Sequence, residues 1–270
     1  MDIKILGMCM STRRGGPEKT CNDEILIKEV LSSAREYDKD VETDYFHIAD
    51  YKFDGGCRAC RLCYRFKDGE CHYPLYKDDF NILVSRVRSA DGLVIGAPVH
   101  DGTIPWTVNA FWSRMLETGG MGSHKVGSAV TCALGREYGQ ENVLRIIKGF
   151  FNIWAGLSPS LDWTWDGFGC PLGVAGIQGW PFNVPSTSFE SYTAVRHDII
   201  AMRGAERLGK SLVDLIRIVK AGVEQLKKDK PDYGKPITPD DVPAESMHYW
   251  AYGPYGTKRN YLRLKAEGKI

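Results

Sequence analysis

The chain has 270 residues with 35 lysine and arginine against 34 aspartate and glutamate, and a formal charge of +1 gives no electrostatic case for binding nucleic acid. Hydrophobic residues at 43% and charged residues at 26% suffice for an ordinary buried core, and no apolar run reaches the length of a membrane span. Eight cysteines, and a start that runs straight into a strand-like segment, predict no leader peptide and a reducing cytoplasm.

Residues 2–9 (DIKILGMC) form a short apolar run that predicts a buried parallel strand. A polar stretch at 10–20 (MSTRRGGPEKT) leads into an amphipathic helical period over 22–35, with Leu26, Ile27, Val30, Leu31 and Ala34 on one face. Strand, polar loop and helix is the layout in which a helix N-terminus receives a phosphate. Ser11, Thr12, Arg13 and Thr20 offer hydroxyl and guanidinium donors for one. A plain surface turn capped by Thr20 accounts for the same residues without a ligand.

A second strand is expected at 41–48. The densest chemistry of the chain follows it, in GGCRACRLCYRFKDGECHYP at 55–74, where Cys57, Cys60, Cys63 and Cys71 fall within fifteen residues. Gaps of two residues let neighbouring sulfurs turn toward one centre, and a fourth closes the shell, which reads as a [4Fe–4S] site. Structural zinc also takes four thiolates, usually as two separated pairs, and disulfides need an oxidising compartment. Arg58, Arg61, Arg65 and Lys67 lie between the cysteines. They offset the charge of an anionic cluster, or are solvated, or offer a landing patch to an acidic electron carrier.

Further along, a helix is expected at 76–90, with Phe80, Leu83, Val84 and Val87 at helical spacing, then a buried strand at 91–97 and the loop PVHDGTIP at 98–105. A helix to 116, a strand at 125–133, the loop LGREYGQE at 134–141 and a helix to about 154 follow. Strands alternating with helices imply right-handed βαβ units and an open parallel sheet. Ligands of such sheets bind beyond the carboxyl ends of the strands, where the loops 10–20, 98–105 and 134–141 are all expected. A fifth strand is expected within 157–185, with 159–165 the candidate, in a stretch with Trp163, Trp165, Phe168, Trp180 and Phe182 that covers a planar ligand or packs a core or interface.

The last helix is expected at 197–226, with Met202, Ala205, Leu208, Leu212, Ile216 and Val219 on its core face. Four prolines and many charges make 227–243 an extended linker. Tyr249, Trp250, Tyr252, Tyr255 and Tyr261 make 247–264 a segment expected to pack on its own domain or on a neighbouring subunit. The organisation is thus a domain at 1–226, carrying the cysteine loop at 55–75, and an arm at 227–270. Within the last helix, Gly204 to Ser211 satisfies the phosphate-loop pattern G-x4-G-K-S. No strand precedes it and Ala205, Leu208 and Leu212 face inward, so a nucleotide-binding loop is rejected.

Taken together, the three rim loops resemble those of the flavodoxin-like NAD(P)H-dependent FMN reductases. Met10-Ser11-Thr12-Arg13 with Thr20-Cys21 stand where that family has G-S-P-R and N-T. Ala97-Pro98-Val99-His100, with Phe111 and Arg114 in the following helix, match its second loop, and Gly135-Arg136-Glu137-Tyr138-Gly139-Gln140-Glu141 lies close to its third, G-x-R-x-G-G-Q-E. The cysteine loop narrows the resemblance to the iron–sulfur flavoproteins, over about residues 1–220.

The resemblance implies an α/β flavodoxin-like doubly wound five-stranded parallel sheet in the order 2-1-3-4-5, with FMN, a [4Fe–4S] cluster held by Cys57, Cys60, Cys63 and Cys71, and a homodimer or homotetramer. It implies FMN contacts from Ser11, Arg13, Thr20, Cys21, Pro98, Val99, His100, Asp101, Gly102, Thr103, Ile104, Ala133, Leu134, Gly135, Arg136 and Tyr138. Arg136 then stabilises negative charge on the flavin or makes a surface ion pair, and His100 donates a proton to a substrate or shapes the pocket. The expected activity passes electrons from a ferredoxin donor through the cluster to FMN and on to a small-molecule two-electron acceptor. An NAD(P)H-dependent FMN or quinone reductase with a structural metal in the cysteine loop, and a non-enzymatic electron carrier, are the rival readings.

Overall fold

Three runs of the chain are apolar along nearly their whole length and become strands buried on both faces, the condition for the middle of a parallel sheet. They are β1 (Ile3–Cys9), β3 (Gly92–Gly96) and β4 (Val126–Ala133). β2 (Val41–His47) and β5 (Val174–Ile177) flank them, and every pairing is parallel, in the order β2-β1-β3-β4-β5. This is the expected flavodoxin-like order. The computed structural model describes residues 2–66, 68–122, 124–135, 138–153, 157–158, 173–177, 188–231, 233, 263–264 and 266–268.

Side chains alternate across the strands, and the helices divide accordingly between two faces. Ile5 and Cys9 of β1 join a core with α1 (Asn22–Tyr37) and α6 (Ile199–Asp229). Leu6 and Met8 join the other, with α3 (Phe80–Ser89), α4 (Trp106–Glu117) and α5 (Gln140–Ile153). The short α2 (Leu62–Phe66) lies within the cysteine loop. Gly204 to Ser211 lies inside α6, as the inward-facing apolar period requires. Gly209 serves packing there: a Cβ on it would lie 2.4 Å from the Val30 carbonyl oxygen of α1. Lys210 pairs with Glu206 one turn back.

Two expectations need correction. The fifth strand does fall within 157–185 but at Val174–Ile177, four residues that pair with Val130 to Ala133, while the candidate 159–165 lies outside the described residues. The third helix starts at Phe80 rather than 76, because Asp78 and Asp79 accept backbone N–H groups of the preceding loop instead: Asp54 N–H reaches Asp78 Oδ2 at 2.9 Å and Lys52 N–H reaches Asp79 Oδ2 at 2.8 Å. Trp163, Trp165, Phe168, Trp180 and Phe182, and Tyr249, Trp250, Tyr252, Tyr255 and Tyr261, lie outside the described residues.

The chain divides into two units, Met1–Lys220 with the whole sheet and Ala221–Ile270 with the last turns of α6. Among the described residues, no helix is long and apolar enough to cross a membrane.

Candidate active site and metal centre

The chain leaves β1 toward β2 on one side, while β3 lies on the other, so the loops after β1 and β3 diverge and open a cleft at the carboxyl ends of the strands. The cleft is about 190 Å³ in volume. Its walls are Ser11, Arg13, Cys21, Asn22 and Asp23 from the first loop and the start of α1, Pro98, Val99 and His100 from the second, and Cys132, Ala133 and Leu134 from the third, closed by Ser191 and Tyr192. All three loops singled out in the sequence therefore meet.

The first loop is pinned by a bridge between Gly15 and Thr20, each donating its N–H to the other's carbonyl. Ser11 Oγ accepts the Arg13 N–H at 3.1 Å, and the Arg13 guanidinium lies 4.3 Å from the centre of the Tyr192 ring. Cys21 is the N-cap of α1, which aims the positive end of a 16-residue helix toward the cleft. Asn22 ties the floor together, donating to the Ser191 carbonyl at 2.7 Å and accepting the Val195 N–H at 3.0 Å. Asp23 accepts the Cys132 N–H at 3.1 Å. Burial first, and then Cys21, pushes the Asp23 carboxyl well up.

The second loop makes a tight turn in which His100 and Thr103 exchange backbone hydrogen bonds at 2.9 Å, with Asp101 and Gly102 at positive φ. Gly139 packs on it so closely that a Cβ would come within 2.7 Å of Gly102 Cα, and Asn142 Nδ2 donates to the Gly102 carbonyl at 2.9 Å. Gln140 holds the third loop by accepting the Tyr138 N–H and donating to the Gly135 carbonyl.

Of the residues expected to contact a cofactor, Ser11, Arg13, Cys21, Pro98, Val99, His100, Ala133 and Leu134 line the cleft. Thr20 closes the first loop, Asp101, Gly102 and Thr103 form the turn beside it, and Gly135 and Tyr138 belong to the loop held by Gln140. Ile104 is buried in the core, and Arg136 lies outside the described residues. Asn22, Asp23, Cys132, Ser191 and Tyr192 were not expected in the wall. Two polar residues opening a buried helix were a readable signal for Asn22 and Asp23, whereas Ser191 and Tyr192 arrive from far along the chain.

This donor set suits a flavin mononucleotide. A helix N-terminus, a hydroxyl and a guanidinium answer a phosphate, and apolar surfaces from Pro98, Val99, Ala133 and Leu134 answer a planar ring.

The four loop cysteines share a second cavity, lined by Cys57, Cys60, Cys63 and Cys71 with Arg58, Arg61, His72, Tyr73, Arg114, Glu117 and Thr118. Two left-handed residues, Ala59 at φ 52 and Arg61 at φ 60, curl the chain between successive cysteines. The loop is bolted to the domain. Cys57 N–H donates to Ser113 Oγ at 3.1 Å, Cys71 N–H to Asn81 Oδ1 at 2.8 Å, and Tyr76 Oη to the Gly56 carbonyl at 2.7 Å. Ala59 N–H donates to Cys57 Sγ at 3.3 Å, a bond that stabilises a thiolate ligand. Arg114 brings a buried cation to the wall, and its buried Nε has no hydrogen-bond partner among the described residues.

Four thiols beside a buried cation are a donor set that suits an anionic metal centre such as an iron–sulfur cluster.

Residues 3–166 match the family described as NADPH-dependent FMN reductase. An iron-sulfur flavoprotein of Methanocaldococcus jannaschii is 25% identical over 225 residues, covering 81% of this chain and all of its own length. An iron-sulfur flavoprotein of Methanosarcina thermophila is 30% identical over 142 residues, covering 52% of this chain and 70% of its own. Among solved structures, RosB with a bound 8-demethyl-8-formylriboflavin-5'-phosphate intermediate superimposes with a TM-score of 0.58 at 13% identity, covering 91% of this chain and 93% of that one, a likeness of fold.

Proposed function

The chain belongs to the NADPH-dependent FMN reductase family, among its iron–sulfur flavoproteins, and is a flavin-dependent oxidoreductase; from this premise we propose that it carries electrons from a ferredoxin-like donor, by way of a [4Fe–4S] cluster, to FMN and on to a small two-electron acceptor. The observation that carries this reading is the convergence of Cys57, Cys60, Cys63 and Cys71 on one cavity whose outer side is exposed and cationic.

When bound, the cluster supplies one-electron transfer and the flavin one- or two-electron transfer, which together turn single electrons into a pair. Ser11, Arg13 and the start of α1 hold the phosphate. Pro98, Val99, Ala133 and Leu134 exclude water from the faces of the ring. From the sequence resemblance, Arg136 would offset negative charge on the flavin. His100, exposed at the mouth of the cleft, delivers a proton to the acceptor.

At the other site the four cysteines hold the metal, and Arg114 offsets their charge. Cys60, Arg58, Arg61 and Arg65 are all exposed, which supports docking of an acidic carrier protein. Exposed Phe66, Leu75 and Trp106 support pairing with a second copy of the chain, as a homodimer or homotetramer. The concentration of thiols supports a cytoplasmic setting.

The test is anaerobic mixing with reduced ferredoxin and, separately, with NADPH, followed through the flavin absorbance. Bleaching by ferredoxin that slows as salt is raised, with little by NADPH, is the expected result. Direct bleaching by NADPH with none by ferredoxin would favour the FMN or quinone reductase reading.

A further inference from the structure

Behind the wall of the cleft, the last residue of β1, the N-cap of α1 and the last residue of β2 bring Cys9, Cys21 and His47 together. Their ligand atoms lie within 4.8 Å of one another and all three residues are buried. The two sulfurs are 3.6 Å apart, and Cys21 Sγ is 3.7 Å from His47 Nε2. Two thiols and an imidazole at such spacing suggest a metal, but the ring is turned the wrong way for one. His47 Nδ1 accepts the Ala49 N–H at 3.1 Å, so the neutral ring carries its proton on Nε2. It therefore offers Cys21 a hydrogen-bond donor instead of offering an ion a lone pair.

This arrangement differentiates the two thiols. Hydrogen bonds from Cys9 and then from His47 pull Cys21 down to about 5, against the effect of its burial. Burial, with Cys21 beside it, pushes Cys9 well up. The N-terminus of α1 further favours the anion on Cys21. Cys21 lines the cleft, whereas Cys9 is fully buried behind it. The thiol that ionises more readily therefore faces the cleft, and the thiol that burial keeps protonated lies in contact with it.

We propose that Cys9 and Cys21 form a reversible dithiol–disulfide site that reacts with small peroxides entering the cleft. The Cys21 thiolate attacks one peroxide oxygen and the O–O bond breaks. The departing hydroxide takes a proton from solvent and leaves as water, and Cys21 becomes a sulfenic acid. Cys9 then attacks Cys21 Sγ. The S–S bond forms, the S–O bond breaks, and the Cys9 proton leaves with the hydroxyl as a second water. Two thiols lose two electrons, and one hydrogen peroxide becomes two waters.

Peptide mapping of the full chain tests this, since trypsin separates Cys9, in residues 5–13, from Cys21, in residues 20–28. Anaerobically purified protein is pulsed with hydrogen peroxide, denatured into iodoacetamide and digested. The expected product is the linked pair of peptides, restored to two separate peptides by dithiothreitol. In Cys9→Ser the reaction stops at a sulfenic acid on Cys21, which dimedone traps. His47→Gln slows formation of the link at least several-fold. The readout is a peptide mass rather than an activity, and because flavin shares the cleft with Cys21 the pulse is applied both to the protein as purified and to protein stripped of flavin, the link forming faster in the latter. Recovery of Cys9 and Cys21 as free thiols while the loop cysteines oxidise would overturn the proposal. So would protection of the pair that ends only when a chelator removes a bound divalent ion.

Discussion

Arg114 meets Asp78 through a two-pronged contact sealed from solvent, the two side chains being 2% and 3% exposed. Arg114 also donates to the Gly55 carbonyl at 3.3 Å, while Asp78 accepts the Asp54 N–H. One ion pair thereby joins α4, the start of α3 and the first residues of the cysteine loop. Its guanidinium lies 4.0 Å from the centre of the Phe80 ring, which leaves it little freedom to reorganise.

Breaking this pair from one side strands a buried charge. Arg114→Gln is expected to cost about 3–5 kcal/mol of stability in urea unfolding. Arg114→Lys keeps the charge but loses the fork and should fall between the two. Unchanged unfolding midpoints would mean that the contact does not anchor the loop.

The same pair sets an acid limit. Burial pushes the Asp78 carboxyl up, but the hydrogen bonds and charge of Arg114 together with the Asp54 and Phe80 N–H groups outweigh that and hold it below its usual value. A carboxyl lowered on folding adds stability above its unfolded value near 3.9, and that contribution is lost as pH falls through the lower folded value. The wild-type chain should therefore lose stability below about pH 4 more steeply than Asp78→Asn, which starts weaker at neutral pH. Parallel acid-unfolding curves would contradict this.

The proposed phosphate recognition by the first loop should separate FMN from riboflavin. A charge-assisted hydrogen bond contributes roughly 1.5–3 kcal/mol, so Arg13→Ala should weaken FMN binding about 10- to 100-fold and leave riboflavin binding nearly unchanged. Fluorescence titration of the apoprotein measures both. Equal losses would place Arg13 in packing against Tyr192 alone.

Gly209 is the packing residue inside the false phosphate loop. Gly209→Ala drives a methyl into the backbone of α1 and should cost about 1–3 kcal/mol. Lys210→Ala, which removes one side of an exposed pair, should shift stability by less than about 1 kcal/mol and leave nucleotide binding absent in both proteins.

Strong local signals were legible in the sequence. Continuous apolar runs gave β1, β3 and β4, and the helical period gave α1 and α6, so the rim where loops 10–20 and 98–105 converge followed from topology. The four clustered cysteines announced a shared cavity. Val174–Ile177 was not legible, because four residues carry too little period to stand out beside an aromatic-rich stretch. The start of α3 was misread because the accepting role of Asp78 and Asp79 depends on loop amides that periodicity does not see. Tyr192 over Arg13 and His47 behind Cys21 are contacts made by tertiary packing, and no local pattern announces either.

Direct chemical analysis tests the proposal that the loop cysteines seat an iron–sulfur cluster in a chain that also holds flavin. Iron, acid-labile sulfide, zinc and FMN should be measured on protein purified without oxygen. About four iron, four sulfide and one FMN per chain is the predicted content. Zinc at about one per chain, with neither iron nor sulfide, would contradict the account.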